Sequence, residues 1–147
     1  MALSPEQLDV PPEAEKKDPD EPADHALGRS RGGFSTKIHI LCDGYCHPFH
    51  CHLTVGQAHE STALVPLLQG ADELLIDGDE NPIPCPVALG GDKGYRADWI
   101  DEFLLKLGIT PVIPSKENED RDARPVEFDR DAYKRRNIVE RLIGWIK

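Results

Sequence analysis

Toward the C-terminus, Tyr133, Arg136, Glu140 and Lys147 follow one another at the spacing Y-x2-R-x3-E-x6-K. On an ideal helix, at about 100° per residue, the four fall within about 60° of one another. A phenol, a guanidinium, a carboxylate and an ammonium then share one face. Ile138, Val139, Leu142, Trp145 and Ile146 fall on the other side, which predicts a core stripe. Glu140 is the one acid among the five bases of residues 132–147. A lone carboxylate ringed by cations suits a site where metal and phosphate meet. The plainer alternative is a solvated face with charge neighbours at i,i+4.

A second acid is framed by glycines. Asp92, in Gly90-Gly91-Asp92-Lys93-Gly94-Tyr95, follows the apolar run Pro86 to Leu89 and precedes a helical pattern. Ligands of open α/β sheets bind beyond the carboxyl ends of strands. Glycines there permit close backbone approach. The alternative is a turn aspartate that bonds its own backbone.

A third group is Cys42, Cys46, His47, His50, Cys51 and His52, whose thiols and imidazoles are zinc-ligand types. Strand alternation sends Cys46, His50 and His52 to one face and His47 and Cys51 to the other. The expectation is therefore against structural zinc.

These residues need elements to position them. Phe34 to Cys42 and Pro48 to Thr54, joined through Asp43-Gly44, predict a β-hairpin. Glu60 to Gln69 has helical spacing, with Ser61 or Thr62 near its start and Gly70 at its stop. Asp77 to Pro82 predicts a loop. Asp98 to Leu107 places apolar residues at Trp99, Phe103, Leu104 and Leu107, with Gly108 at the stop position. Ile109 to Ile113 predicts a strand, residues 115–128 a polar connection, and Asp131 to Lys147 a final helix capped by Asp131. A hairpin followed by βαβ argues for a mixed α/β sheet with helices on its faces.

The 147 residues match one domain by length. Residues 1–26 are acidic and Pro-rich with few large apolar side chains, so they are expected to form a disordered tail. The net charge of −10 argues against a general nucleic-acid coat. It leaves open a local basic face on DNA, because screening limits charge effects to about 8–10 Å. No run approaches the ~20 apolar residues of a membrane helix. The N-terminus lacks a basic region followed by an apolar one, so the expected compartment is the cytoplasm with reduced thiols.

Four segments together carry a resemblance. Gly28-Arg29-Ser30-Arg31-Gly32-Gly33-Phe34-Ser35-Thr36-Lys37-Ile38-His39 resembles the start of the catalytic core in DDE transposases of bacterial insertion sequences. Thr54-Val55-Gly56-Gln57-Ala58-His59-Glu60-Ser61 is similar to their T-x-G-x-x-H-D-S run, with Glu60 where Asp is usual. Asp92-Lys93-Gly94-Tyr95 resembles the D-K-G-Y of the second catalytic aspartate, and Tyr133, Arg136, Glu140 and Lys147 fit the family's helix signature.

The resemblance implies a partial DDE catalytic domain over residues 27–147. The implied fold is α/β, a ribonuclease H-like mixed sheet lacking its first, central strand. It implies metal-dependent DNA cleavage and strand transfer, with Asp92 and Glu140 as the second and third catalytic acids and metal ligands. The implied cofactor is Mg²⁺, with Mn²⁺ a substitute. Tyr133, Arg136 and Lys147 are the implied DNA-binding residues. The implied partners are transposon ends and target DNA, and a homo-oligomer when the protein is complete, with no membrane. The implied place is the bacterial cytoplasm, on the nucleoid when acting on DNA.

The family's first aspartate sits in a D-S-T or D-G-S run upstream of the G-R-S-R-G-G segment, and the sequence contains no such run there. The isolated chain is accordingly expected to lack strand transfer, as a remnant or as a downstream frame completed by frameshift. The competing function is an inactive DNA-binding or regulatory remnant that pairs with an intact transposase. Arg29 to Gly33 is expected to serve as a linker, with DNA contact as the alternative.

Overall fold

The computed structural model describes residues 28–30, 33–76 and 78–146. The expected tail 1–26, Arg31 and Gly32 of the basic segment, Asp77 of the loop, and Lys147 of the helix signature lie outside the described residues.

Strands β1 (Gly28–Ser30), β2 (Gly33–Cys42) and β3 (Pro48–Val55) form an antiparallel sheet in that order. The hairpin is the predicted one, with Ile38 opposite Leu53 and His39 opposite His52. The linker reading of Arg29 to Gly33 gives way, because Gly28, Arg29 and Ser30 pair with Ser35, Phe34 and Gly33. Gly33 adopts φ +111°, a backbone region closed to most side chains. Asp43 ties the β2–β3 turn by accepting from the backbone N–H of Tyr45 and His47 at 2.8 and 2.9 Å.

A 3₁₀ turn (Glu60–Ala63) leads into helix α1 (Leu64–Leu74). The start is capped by His59, whose Nδ1 accepts from the Ser61 N–H, and not by Ser61 or Thr62. Gly70 lies inside α1 and does not end it. Its bare Cα makes room for the His50 ring, since a Cβ there would stand 2.6 Å from His50 Cδ2.

Strand β4 (Ala88–Gly90) runs parallel to β5 (Thr110–Val112), with helix α2 (Asp98–Lys106) between them in sequence. Gly108 stops α2 at φ +75°, as its position predicts. The core sits where α1, α2 and β5 meet, around Leu64, Val65, Leu68, Ile100, Phe103, Leu104, Ile109 and Ile113. Burying each of the larger of these side chains is worth about 1.5–3 kcal/mol.

The polar connection after β5 is pinned down by a buried charge network. Asp101, 1% exposed, accepts from Arg124 Nε and Nη2, each at 3.0 Å. Arg124 Nη1 also donates to the carbonyl of Ile113 at 2.8 Å. Arg96, 3% exposed, donates to Asp98 and Glu119. Burial opposes the Arg96 charge, but these carboxylates and Asp101 more than offset that and hold its pKa above the ordinary value. The 115–128 segment is therefore fastened to α2 and β5.

The final helix is broken where one continuous element was expected. Helix α3 (Arg130–Lys134) and helix α4 (Asn137–Ile146) are joined through i→i+3 bonds such as Arg136 N–H to the Tyr133 carbonyl. The break falls on Arg135-Arg136, the last two of three successive cations that begin with Lys134. The cap is Asp129, which accepts from the N–H groups of Asp131 and Ala132, and not Asp131.

The expected core stripe is also smaller than the wheel implies. Of its residues only Leu142 is buried, while Trp145 and Ile146 are exposed. Ile143 and Ile146 instead face the hairpin's outer side across an apolar cleft of about 630 Å³ that Ile38, Ile40, Phe49 and Cys51 also line.

Candidate active site

Asp92 follows β4 and caps the 3₁₀ turn Lys93–Tyr95. Its Oδ1 accepts from the Gly94 N–H at 3.0 Å, so the self-bonded turn anticipated as an alternative does form. The other oxygen points elsewhere: Oδ2 stands 4.0 Å from Arg136 Nη1. Arg136 Nη2 donates to Glu140 Oε1 at 2.8 Å. One guanidinium thus faces both acids, bringing the strand end and the last helix together at a single point. Arg136 also lies over the Tyr133 ring, 5.1 Å from guanidinium carbon to ring centroid. Tyr133 packs in turn against Phe128.

The break between α3 and α4 leaves this grouping intact. Arg136 and Glu140 are one helical turn apart, so they pair across the join. Asp92, Glu140 and Tyr133 each approach Arg136, and Lys147 lies outside the described residues.

Around Asp92 stand residues that spacing did not single out as a group. Lys37 Nζ donates to Glu60 Oε1 at 2.8 Å and to the Ala58 carbonyl at 2.7 Å. A Cβ at Gly94 would stand 3.0 Å from Glu60 Cγ and 3.1 Å from Asp92 Oδ1, so a larger residue there would press these acids back by a few tenths of an ångström. The hydrogen bond from Lys37 holds the Glu60 carboxyl below the ordinary range.

Beneath them His39, 5% exposed, bonds through Nδ1 to the Tyr95 hydroxyl at 2.6 Å and through Nε2 to Thr54 Oγ1 at 2.8 Å. Burial is the main cause that pushes the His39 pKa down, followed by His52. The Tyr95 hydroxyl is pushed up to about 12, first by burial and then by the charges of Asp92 and Glu60. The hairpin therefore grips the Asp92 turn through the His39 imidazole. The alternation of Lys37-Ile38-His39-Ile40 revealed the strand but not its polar inner face.

The cysteine and histidine group takes other roles. Cys46 lies in the hairpin turn at φ +72°, not on a strand face, and its thiol donates to the Ile138 carbonyl at 3.1 Å. His47 bonds Asp43 at 2.9 Å. Among the described residues, no three or more His, Cys, Asp or Glu side chains gather closely enough to hold a metal. Asp92 and Glu140 fit a hard divalent cation in chemistry, being carboxylate oxygens, though they are only two ligands. No helix among the described residues is long and apolar enough to cross a membrane.

Comparison with known families adds one finding: the family model described as the transposase DDE domain matches residues 8–147. The match begins inside the segment assigned to the tail. No curated protein and no solved structure matches significantly.

Proposed function

The chain belongs to the transposase DDE domain family, and from that premise we propose that it serves metal-dependent DNA cleavage and strand transfer at transposon ends. Asp92 and Glu140 are its second and third catalytic acids. The observation that carries this reading is their common approach to Arg136. Acids supplied by a strand end and a distant helix repel each other, and Arg136 supplies the charge that holds them together.

A divalent ion bound by Asp92 and Glu140, Mg²⁺ or Mn²⁺, would activate the attacking hydroxyl and stabilise the leaving oxygen of the scissile phosphate. The chain's own residues do the positioning. The Gly94 N–H fixes one oxygen of Asp92 and turns the other toward Arg136. His39, through Tyr95, ties that turn to the hairpin. Arg136, steadied on the Tyr133 ring, offers the paired N–H groups that match a backbone phosphate. Lys147 extends the same helix signature and supplies a second phosphate contact.

The antiparallel β2–β3 hairpin and the parallel β4–β5 pair support a ribonuclease H-like reading, whose first, central strand would lie beside the part of β2 beyond residues 33–35, where β1 does not pair. That strand would carry the first acid, so strand transfer depends on a segment or chain that supplies it. The complete assembly is a homo-oligomer acting in the bacterial cytoplasm on the nucleoid. Among the described residues no third carboxylate joins the pair, which favours a second reading, an inactive DNA-binding or regulatory remnant paired with an intact transposase.

The test uses the purified chain and the DNA that flanks its own gene, with Mg²⁺ or Mn²⁺. The expected result is retarded DNA without cleavage, and cleavage once a related intact transposase is added. If the mixture then loses cleavage when this chain carries Asp92→Asn, the catalytic reading stands. Indifference to that substitution favours the regulatory one, and failure to retain DNA sinks both.

A further inference from the structure

We propose that the Arg136 guanidinium is a built-in cation for Asp92 and Glu140, which a divalent metal must displace before both carboxylates can ligate it. This rests on the reading of those two acids as metal ligands. It adds that metal entry and phosphate binding are coupled through one side chain.

Arg136 Nη2 is hydrogen-bonded to Glu140 Oε1 at 2.8 Å, and Nη1 faces Asp92 Oδ2 at 4.0 Å. A guanidinium carries donors on separate edges of one plane, so it can serve two carboxylates at once. The oxygens it engages are those a metal would need, because Asp92 Oδ1 is already committed to the Gly94 N–H. Metal and guanidinium therefore compete directly for Glu140 Oε1, whereas at Asp92 Oδ2, beyond hydrogen-bond length, they compete through charge alone.

Displacement is open to solvent. The Asp92 and Glu140 side chains are 52% and 61% exposed, and that of Arg136 is 30% exposed. Exposed ion pairs are weak, so a dication can win this exchange. Arg136 sits at the tightened join, between the end of α3 at Lys134 and the start of α4 at Asn137. Once released, its fork of N–H groups is free for a phosphate, which is the geometry it recognises best. Metal loading thereby makes the chain a better binder of the DNA backbone.

The experiment titrates Mn²⁺ into the full chain and reads free Mn²⁺ by electron paramagnetic resonance. Arg136→Gln is expected to tighten Mn²⁺ binding by about tenfold. Arg135→Gln, which removes the same charge from the exposed neighbour, is expected to change it by less than about twofold. The Asp92→Asn/Glu140→Gln double variant supplies the blank. If Arg136→Gln binds no more tightly than the parent, or Arg135→Gln tightens binding equally, the proposal falls while the metal reading survives. If the parent and Arg136→Gln both match the blank, the metal reading falls and takes the proposal with it.

A second readout needs no variant of Arg136. In the parent chain, the Arg136 side-chain N–H resonances should shift with added Mg²⁺ at the midpoint of binding, and should stay still in the double variant. Resonances that do not move in the parent overturn the proposal.

Discussion

Asp92 and Glu140 approach different nitrogens of one guanidinium, Oδ2 of the first 4.0 Å from Arg136 Nη1 and Oε1 of the second 2.8 Å from Arg136 Nη2. Each arrives by a different structural route. Asp92 is delivered by the end of β4 and locked by its bond to the Gly94 N–H. Glu140 is delivered by α4, one turn beyond Arg136. The connection between α2 and α3 decides whether these routes converge, and that connection is held by Arg96 and Arg124 on Asp101 and Glu119. The geometry of the acids thus depends on ion pairs well removed from them.

The phosphate contact proposed for Arg136 would carry a thermodynamic signature. Each phosphate neutralised on duplex DNA releases condensed counterions, which sets the slope of log affinity against log salt. Arg136→Gln should lower that slope by roughly one and weaken binding similarly across unrelated sequences. Fluorescence anisotropy of a labelled duplex between about 50 and 200 mM salt reads it. An unchanged slope would remove Arg136 from the DNA interface.

The buried network predicts a large loss from a single truncation. Asp101→Ala leaves Arg96 and Arg124 facing each other without the carboxylate that both approach. Removing one partner of a buried pair costs about 3–5 kcal/mol, because the remaining charge stays desolvated. Urea unfolding should show a midpoint shift of that size. A loss near zero would mean that water enters and screens the two guanidinium groups.

Particular residues show what the sequence could and could not disclose. The hairpin, α2 and β5 were legible because their cues are local: alternation from Phe34 to Cys42, apolar spacing from Trp99 to Leu107, and Gly108 at the stop. The meeting of Asp92 with Glu140 was readable only through the joint match of separated motifs. The split between α3 and α4 was not readable, because tightening one turn preserves the i,i+3 and i,i+4 neighbours that periodicity detects. Asp129 and Asp131 were equally good cap types, and only the extended backbone of Asp129, at φ −78° and ψ 100°, chooses between them. The partners of Arg96 and of His39 follow no period, since they are set by tertiary packing.

Gly56 is a position where one methyl group should be costly. Its N–H donates to the Ser35 carbonyl at 2.8 Å, and a Cβ would stand 2.9 Å from that same oxygen. The Ser35 side chain can rotate aside, but the backbone oxygen cannot move without breaking the bond that closes the end of the hairpin. Gly56→Ala should therefore destabilise the fold by about 1–3 kcal/mol. Thermal unfolding checks it. An unchanged midpoint would show that the turn from Val55 to Ala58 is pliable.

Stability should also fall in mildly acidic solution, through His39. Burial, with His52 adding to it, lowers the His39 pKa in the folded chain below its ordinary 6.5. As pH drops through 6.5 the unfolded chain takes up a proton that the folded chain still refuses, so unfolding is favoured progressively. The contribution is fully present above 6.5 and is lost as pH falls to the folded pKa. His52 is lowered by burial as well and acts in the same direction. The carboxylates of Asp43, Glu60 and Glu119 are held below their ordinary values of 3.8 to 4.5, so their losses belong to a more acidic window. Urea midpoints measured from pH 8 down to pH 5 should therefore decline below about 6.5. In His39→Gln the midpoint should start lower, because the hydrogen bonds to Tyr95 and Thr54 are disturbed, and should decline less steeply. Parallel curves for the two proteins would mean that His39 takes up no proton on unfolding, and that the acid sensitivity belongs to His52 alone.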